Sequence, residues 1–180
     1  MTRIQRHFFL LAALILSAAL TAGCQKSKYT CPFTDISWDD TLEDITELEG
    51  DSSESYDSIY DGTTYTFPKE YIGLKGTIKY SFDDKDRLVS ISWLYECSDS
   101  EDLRAVYDKI HAEANESLGE SGYKLNSDKF TDMASPSDVW YLESGNVILN
   151  TVDSSEFKAL QYTYLHPDVS EDRPKDSTEG

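Results

Sequence analysis

Between Ile78 and Tyr95, apolar side chains take every second position in two runs, Ile78-Tyr80-Phe82 and Val89-Ile91-Trp93-Tyr95, parted by Asp83-Asp84-Lys85-Asp86. Successive side chains of an extended chain leave opposite faces, so strict alternation marks a strand with one buried face. Two such runs across a short polar link predict an antiparallel hairpin. Tyr65 and Phe67 alternate in the same way before Pro68. Val139-Trp140-Tyr141-Leu142 and Val147-Ile148-Leu149 flank the turn Glu143-Ser144-Gly145-Asn146, and a last strand is predicted from Phe157 to Leu165. Beyond these strands the hydrophobic period changes to that of a helix.

Trp38, Leu42, Ile45 and Leu48 form one stripe, with Asp40 and Glu43 at capping-box spacing and Gly50 at the stop. A longer helix is predicted from Ser98 or Ser100, carrying Leu103, Val106, Tyr107, Ile110, Ala114 and Leu118 before Gly119. A shift of 69 residues lays Gly50 on Gly119, Ile78 on Val147, Tyr80 on Leu149 and Trp93 on Tyr162. The expected fold class is α+β: a two-layer domain with an antiparallel sheet packed against two helices, built from two degenerate helix-plus-hairpin units. One domain is expected over residues 35–166, with 167–180 as a disordered acidic tail because Val169 is its only aliphatic residue.

The amino terminus has a different character. Phe8 to Gly23 is uncharged, Arg3 and Arg6 precede it, and Leu20-Thr21-Ala22-Gly23-Cys24 closes it. A membrane span needs about 20 apolar residues, whereas an export signal has about 7 to 15 behind a basic start and before small residues. Residues 1–23 therefore read as an export signal. Ala22-Gly23-Cys24 resembles the lipobox of bacterial lipoproteins, with Thr21 where leucine is commonest. The resemblance implies lipidation at Cys24, removal of 1–23, and attachment to a membrane face outside the cytoplasm, with 24–34 as lipidated cysteine and tether. Whether that membrane is inner or outer stays open. Two acyl chains would make such attachment durable.

The whole chain has a formal charge of −18, and it is more acidic still without Arg3 and Arg6. An acidic surface repels phosphate backbones and anionic headgroups, so nucleic acid is not expected as a partner, and membrane contact is expected through the lipid alone. Twelve tyrosines, seven phenylalanines and three tryptophans are far more than a disordered acidic segment carries, so the body should fold. With Cys24 acylated, Cys31 and Cys97 remain as a pair that permits a disulfide in an exported chain.

Catalytic, cofactor and metal chemistry find little support. His111 lies inside the second helix and His166 at a strand end before Pro167, too few imidazoles for a Ser-His-Asp or Cys-His set. A calcium loop counted from Asp83 would want glycine and a bidentate carboxylate where Leu88 and Leu94 stand. The clusters Asp83, Asp84, Asp86 and Asp99, Glu101, Asp102 fall where turns and helix starts favour acids anyway. No catalytic residue, cofactor or metal is expected, and the chain is read as a non-enzyme.

Aromatic residues are the remaining handle. Tyr56, Tyr60, Tyr65, Tyr71, Tyr95, Trp140, Tyr141, Tyr162 and Tyr164 exceed what one sheet face should bury, so some are expected at the surface. The element order over 38–165, with the Asp-Thr-Leu-Glu-Asp-Ile helix opening and Gly50, resembles two groups of exported proteins. These are the tandem helix-plus-sheet β-lactamase-inhibitory proteins and the small helix-plus-sheet lipoprotein of the outer-membrane barrel-assembly machinery. Both bind proteins, so the resemblance implies a lipid-anchored protein-binding module; the alternative is a carbohydrate or cell-wall binding module using a strip of rings.

Overall fold

Residues 31–125 and 137–173 are described in the computed structural model of the chain. The export segment 1–23, Cys24, residues 25–30, the loop 126–136 and residues 174–180 lie outside the described residues. The elements run α1 (Leu42–Glu49), β1 (Glu54–Asp57), β2 (Asp61–Tyr71), β3 (Leu74–Asp83), β4 (Leu88–Cys97), α2 (Ser100–Leu118), β5 (Tyr123–Leu125), β6 (Ser137–Trp140), β7 (Val147–Asp153) and β8 (Lys158–Leu165), then a 3-10 turn over Pro167–Val169. No described helix is long and apolar enough to cross a membrane.

The chain is thus mixed α+β, and its sheet is larger than the sequence suggested. Eight antiparallel strands lie in the order β1-β2-β3-β4-β8-β7-β6-β5. Each helix is followed by four strands, not by a strand and a hairpin, and the two halves join where β4 pairs with β8. Trp93 sits directly opposite Tyr162 in that central ladder, and the two are 69 residues apart. A local two-fold relation therefore passes between them. In the outer strands the ladder corrects the alignment by two residues: Ile78 faces Trp93, and Leu149, not Val147, faces Tyr162. An even offset leaves every side chain on its own face, which is why the apolar pattern survives it.

Both helices start one position away from the expected cap. Thr41 caps α1, accepting from the Asp44 backbone N–H while the Asp44 carboxylate accepts from that of Thr41, so the capping box is Thr41/Asp44 in place of Asp40/Glu43. Asp99 caps α2 by accepting from the N–H groups of Glu101 and Asp102. Short acceptors compete closely at such places, and the geometry of the preceding turn selects among them. Pro68 is tolerated within β2 because it lies beyond Thr66, where the pairing with β1 stops.

One face of the sheet forms the core. Phe67, Ile78, Trp93, Tyr162, Leu149 and Asp138 stand opposite one another across six strands, all buried, and Ile45 of α1 with Leu103, Tyr107, Ile110 and Ala114 of α2 pack over this side. The tether expected up to residue 34 ends earlier. Phe33 is 4 % exposed and meets Tyr71, Tyr162 and Tyr164 edge to face at centroid distances of 5.5 to 5.9 Å. Such a ring cannot be read as core from a short polar segment, because its partners are over 35 residues away.

The first part of the segment expected as a disordered tail, residues 167–173, is held in place. His166 caps the 3-10 turn, Arg87 bridges Asp83 at 2.8 Å and Asp168 at 2.9 Å, and Ser170 Oγ accepts from the Asn146 N–H. Those contacts hold residues 167–173 against the β3–β4 and β6–β7 turns. Cys31 and Cys97, the candidate disulfide pair, are both free thiols, and burial pushes the Cys31 thiol well above its ordinary range.

Candidate functional site

Because strand side chains alternate, packing both helices on one face leaves a second face whose composition is set independently. Glu54, Thr66, Lys79, Ser92, Thr163, Ile148 and Val139 form one row across seven strands. Thr64, Ser81, Ser90 and Leu165 form the row on one side of it, and Thr77, Leu94, Gln161, Asn150 and Ser137 the row on the other. No described helix packs on this face. Its floor is made of short hydroxyl side chains, with Thr64, Thr66, Ser90, Ser92 and Thr163 buried, that bond to one another: Thr64 with Ser81 at 2.9 Å, Ser92 with Thr163 at 2.8 Å, and Gln161 Nε2 donating to Thr163 at 3.1 Å.

Charge is sparse on this face. In a chain of formal charge −18, the register places on it the acids Glu54, Glu70 and Glu96 and the bases Lys75 and Lys79. Glu70 and Lys75 stand directly opposite each other, and Lys79 Nζ lies 6.0 Å from the Tyr56 ring centroid. The result is a nearly neutral polar floor, with one more acid than base, and with Leu94, Ile148 and Val139 among its apolar spots.

At one corner stands the β1–β2 hairpin. Tyr56 and Ile59 are exposed there, at 42 % and 88 %. Tyr60 is half-buried, and burial raises the pKa of its hydroxyl, an effect that Ser90 opposes. Gly62 is required behind the turn, since a Cβ there would lie 2.2 Å from the Asp83 carbonyl oxygen and 2.4 Å from that of Phe82.

The aromatic expectation is corrected in part. Among the nine rings singled out, Tyr56 alone is exposed; Trp140, Tyr162 and Tyr164 are buried, and the other five are half-buried. Tyr65, Tyr80, Tyr164 and Trp140 share the helix-covered face, and Trp140 and Tyr141 do diverge, the first buried and the second half-buried. The acids are local. Asp83 accepts from the backbone N–H groups of Arg87 and Lys85 and from the Arg87 guanidinium, and these hold its pKa down at about 2. Cys24 lies outside the described residues.

Sequence reasoning missed a buried polar cluster in the second half. Asp138 is 3 % exposed and takes the row position that Phe67 takes in the first half. It accepts from the Tyr107 hydroxyl and from Ser121 Oγ at 2.5 Å, and His111 Nε2 lies 3.5 Å away. Burial first, and then this bond to a carboxylate, raise the Tyr107 pKa far above its ordinary value. His111 stacks on Tyr107 at 5.6 Å and leans on Trp140 at 6.0 Å. Asp138 thus ties α2 and the turn after it to β6. A signal was present in the sequence, since Asp138 stands two residues before Trp140 and so shares its buried face.

The first half holds its helix end differently. Lys69 Nζ donates to both Glu49 carboxylate oxygens at 2.7 and 2.9 Å, and Tyr80 Oη donates to the same group at 2.7 Å. In the second half Trp140 Nε1 donates to the Gly119 carbonyl at 2.8 Å. Among the described residues no group of three His, Cys, Asp or Glu side chains is placed to hold a metal ion. No protein family, curated protein or solved structure matches this chain.

Proposed function

We propose that the chain is a bacterial lipoprotein, anchored outside the cytoplasm through Cys24, that binds another protein on the outer face of its sheet and has no catalytic role. The observation that carries this reading is the near-balance of charge on that face, three acids against two bases, in a strongly acidic molecule. Charge is depleted at the centre of protein interfaces because every buried charge must be desolvated. Short hydroxyls that already satisfy one another lower that cost further. The repeated element order is read as two degenerate copies of one helix-plus-strand unit arranged in two layers. With Phe33 in the core, the segment read as tether up to residue 34 is already part of the folded body at Phe33.

A carbohydrate-binding reading draws on the Gln161 and Asn150 amides of the same face, but a sugar needs a platform of rings, and Tyr56 is the only exposed ring of the set. The protein reading is preferred for that reason. Two experiments test it. Cys24→Ser should release the exported chain from the membrane fraction; retention of an intact, exported variant refutes lipid anchoring. A photo-reactive residue at position 94, in the outer face, should crosslink a protein in the native envelope, while one at Lys109 on α2 should not. Equal labelling from both positions, or none from position 94, refutes use of this face.

A further inference from the structure

Among the described residues Ile59 is the most exposed of the large apolar side chains, yet the turn that carries it is tightly held. Ser58 N–H donates to the Gly62 carbonyl at 2.9 Å, Asp61 N–H to the Ser58 carbonyl at 3.2 Å, and Tyr60 N–H to Ser58 Oγ at 3.1 Å. Ser58 itself is buried, Tyr60 is half-buried, and Gly62 lies against the end of β3. Asp61 takes φ +66°, a left-handed conformation that costs a residue with a Cβ. The geometry therefore fixes an isoleucine in water at a place where a turn ordinarily carries a small or polar residue.

The hairpin's own charge is one-sided, with Lys79 of β3 the base beside it at 6.0 Å from the Tyr56 centroid. Residues 54–62 contain Glu54, Asp57 and Asp61 and no lysine or arginine, and all three acids are exposed. An apolar knob on a hairpin that carries three exposed carboxylates is complementary to an apolar pocket with basic side chains beside it. We propose that the β1–β2 hairpin inserts Ile59, with Tyr56 beside it, into a pocket of a protein partner whose rim carries lysine or arginine. This rests on the reading of the sheet face as a binding surface and names its anchor. Rigid presentation suits that role, because little ordering is left to be done on binding. An anionic lipid surface would repel the same carboxylates, and a second copy of this chain would bring its own acidic surface against them.

The test uses the full-length lipidated protein in its native envelope, with a photo-reactive phenylalanine analogue at position 59, at position 94, or at position 157. Phe157 is also exposed, but lies on the β7–β8 turn of the other half. Position 59 should give one discrete adduct with a different protein, whose crosslinked peptide is apolar with Lys or Arg neighbours, and position 157 should not. Asp57→Lys should reduce its yield at least about fivefold, as should raising salt from about 0.05 to about 0.5 M, because the rim attraction is screened. An adduct from position 94 but not 59 overturns the anchor and leaves the face reading standing; none from either overturns both. A homodimer, a lipid adduct, equal labelling at position 157, or a yield indifferent to Asp57→Lys also overturns it. The thermal midpoint of Asp57→Lys shows that a lost adduct is not a lost fold.

Discussion

Replacing Asp138 by leucine puts a single polar lock on trial. The carboxylate accepts from Tyr107, which is buried, and from Ser121, which is half-buried. Ser121 can turn toward water when its acceptor goes, but the Tyr107 hydroxyl cannot. Leaving one buried donor unsatisfied costs about 1–3 kcal/mol, so Asp138→Leu should destabilise by about 2–3 kcal/mol, or roughly 10 °C in a domain of this size. Tyr107→Phe alone removes a charge-assisted hydrogen bond and should cost about 1.5–3 kcal/mol. The double variant should be no less stable than Asp138→Leu, because the orphaned hydroxyl is then absent. The first half supports this, since Phe67 fills the corresponding place. Urea unfolding followed by tryptophan emission is suitable, as Trp93 and Trp140 are both buried. Coupling of about 1.5 kcal/mol or more is expected between the two sites; additivity within about 0.5 kcal/mol would show that Asp138 does not lock α2 to β6.

Three further outcomes can be checked on the same protein. Lys69→Met should cost about 3 kcal/mol in urea unfolding, because it strands the buried Glu49 carboxylate; a loss below about 1 kcal/mol would mean that Tyr80 and Thr34 suffice. Stability should be bounded on both sides of pH. The Asp83 pKa lies at about 2, below that of an unfolded aspartate, so its contribution is complete above about pH 4 and lost as pH falls toward 2. Burial raises Tyr162 to about 12 and Tyr80 and Tyr164 further, so stability should fall above about pH 10, where unfolded tyrosines release protons that folded ones keep. A flat thermal midpoint from pH 9 to pH 11 would contradict this. Gly145→Ala should severely impair folding, as φ is +110° and a Cβ would lie 1.9 Å from the Leu165 carbonyl oxygen; a thermal midpoint within a few degrees of wild type would contradict it.

Periodicity alone specified what depends on neighbours in the chain. Alternation in 78–82 and 89–95 made β3 and β4 legible, the 3.6-residue stripe from Leu103 to Leu118 made α2 legible, and the 69-residue shift marked Trp93 and Tyr162 as equivalent positions, though not as neighbours across the sheet. Only folding in three dimensions decided the rest. Which face the helices cover, that Phe33 enters the core, and that Asp138 sits where its counterpart is Phe67 all depend on partners tens of residues away. The same holds for the candidate site. A row such as Thr66, Lys79, Ser92 and Thr163 is scattered along the chain, and a hydroxyl in a strand looks alike whichever face of the sheet it takes. Local pattern records which side of the backbone a residue takes, whereas the identity of the covering layer is a property of the assembled sheet.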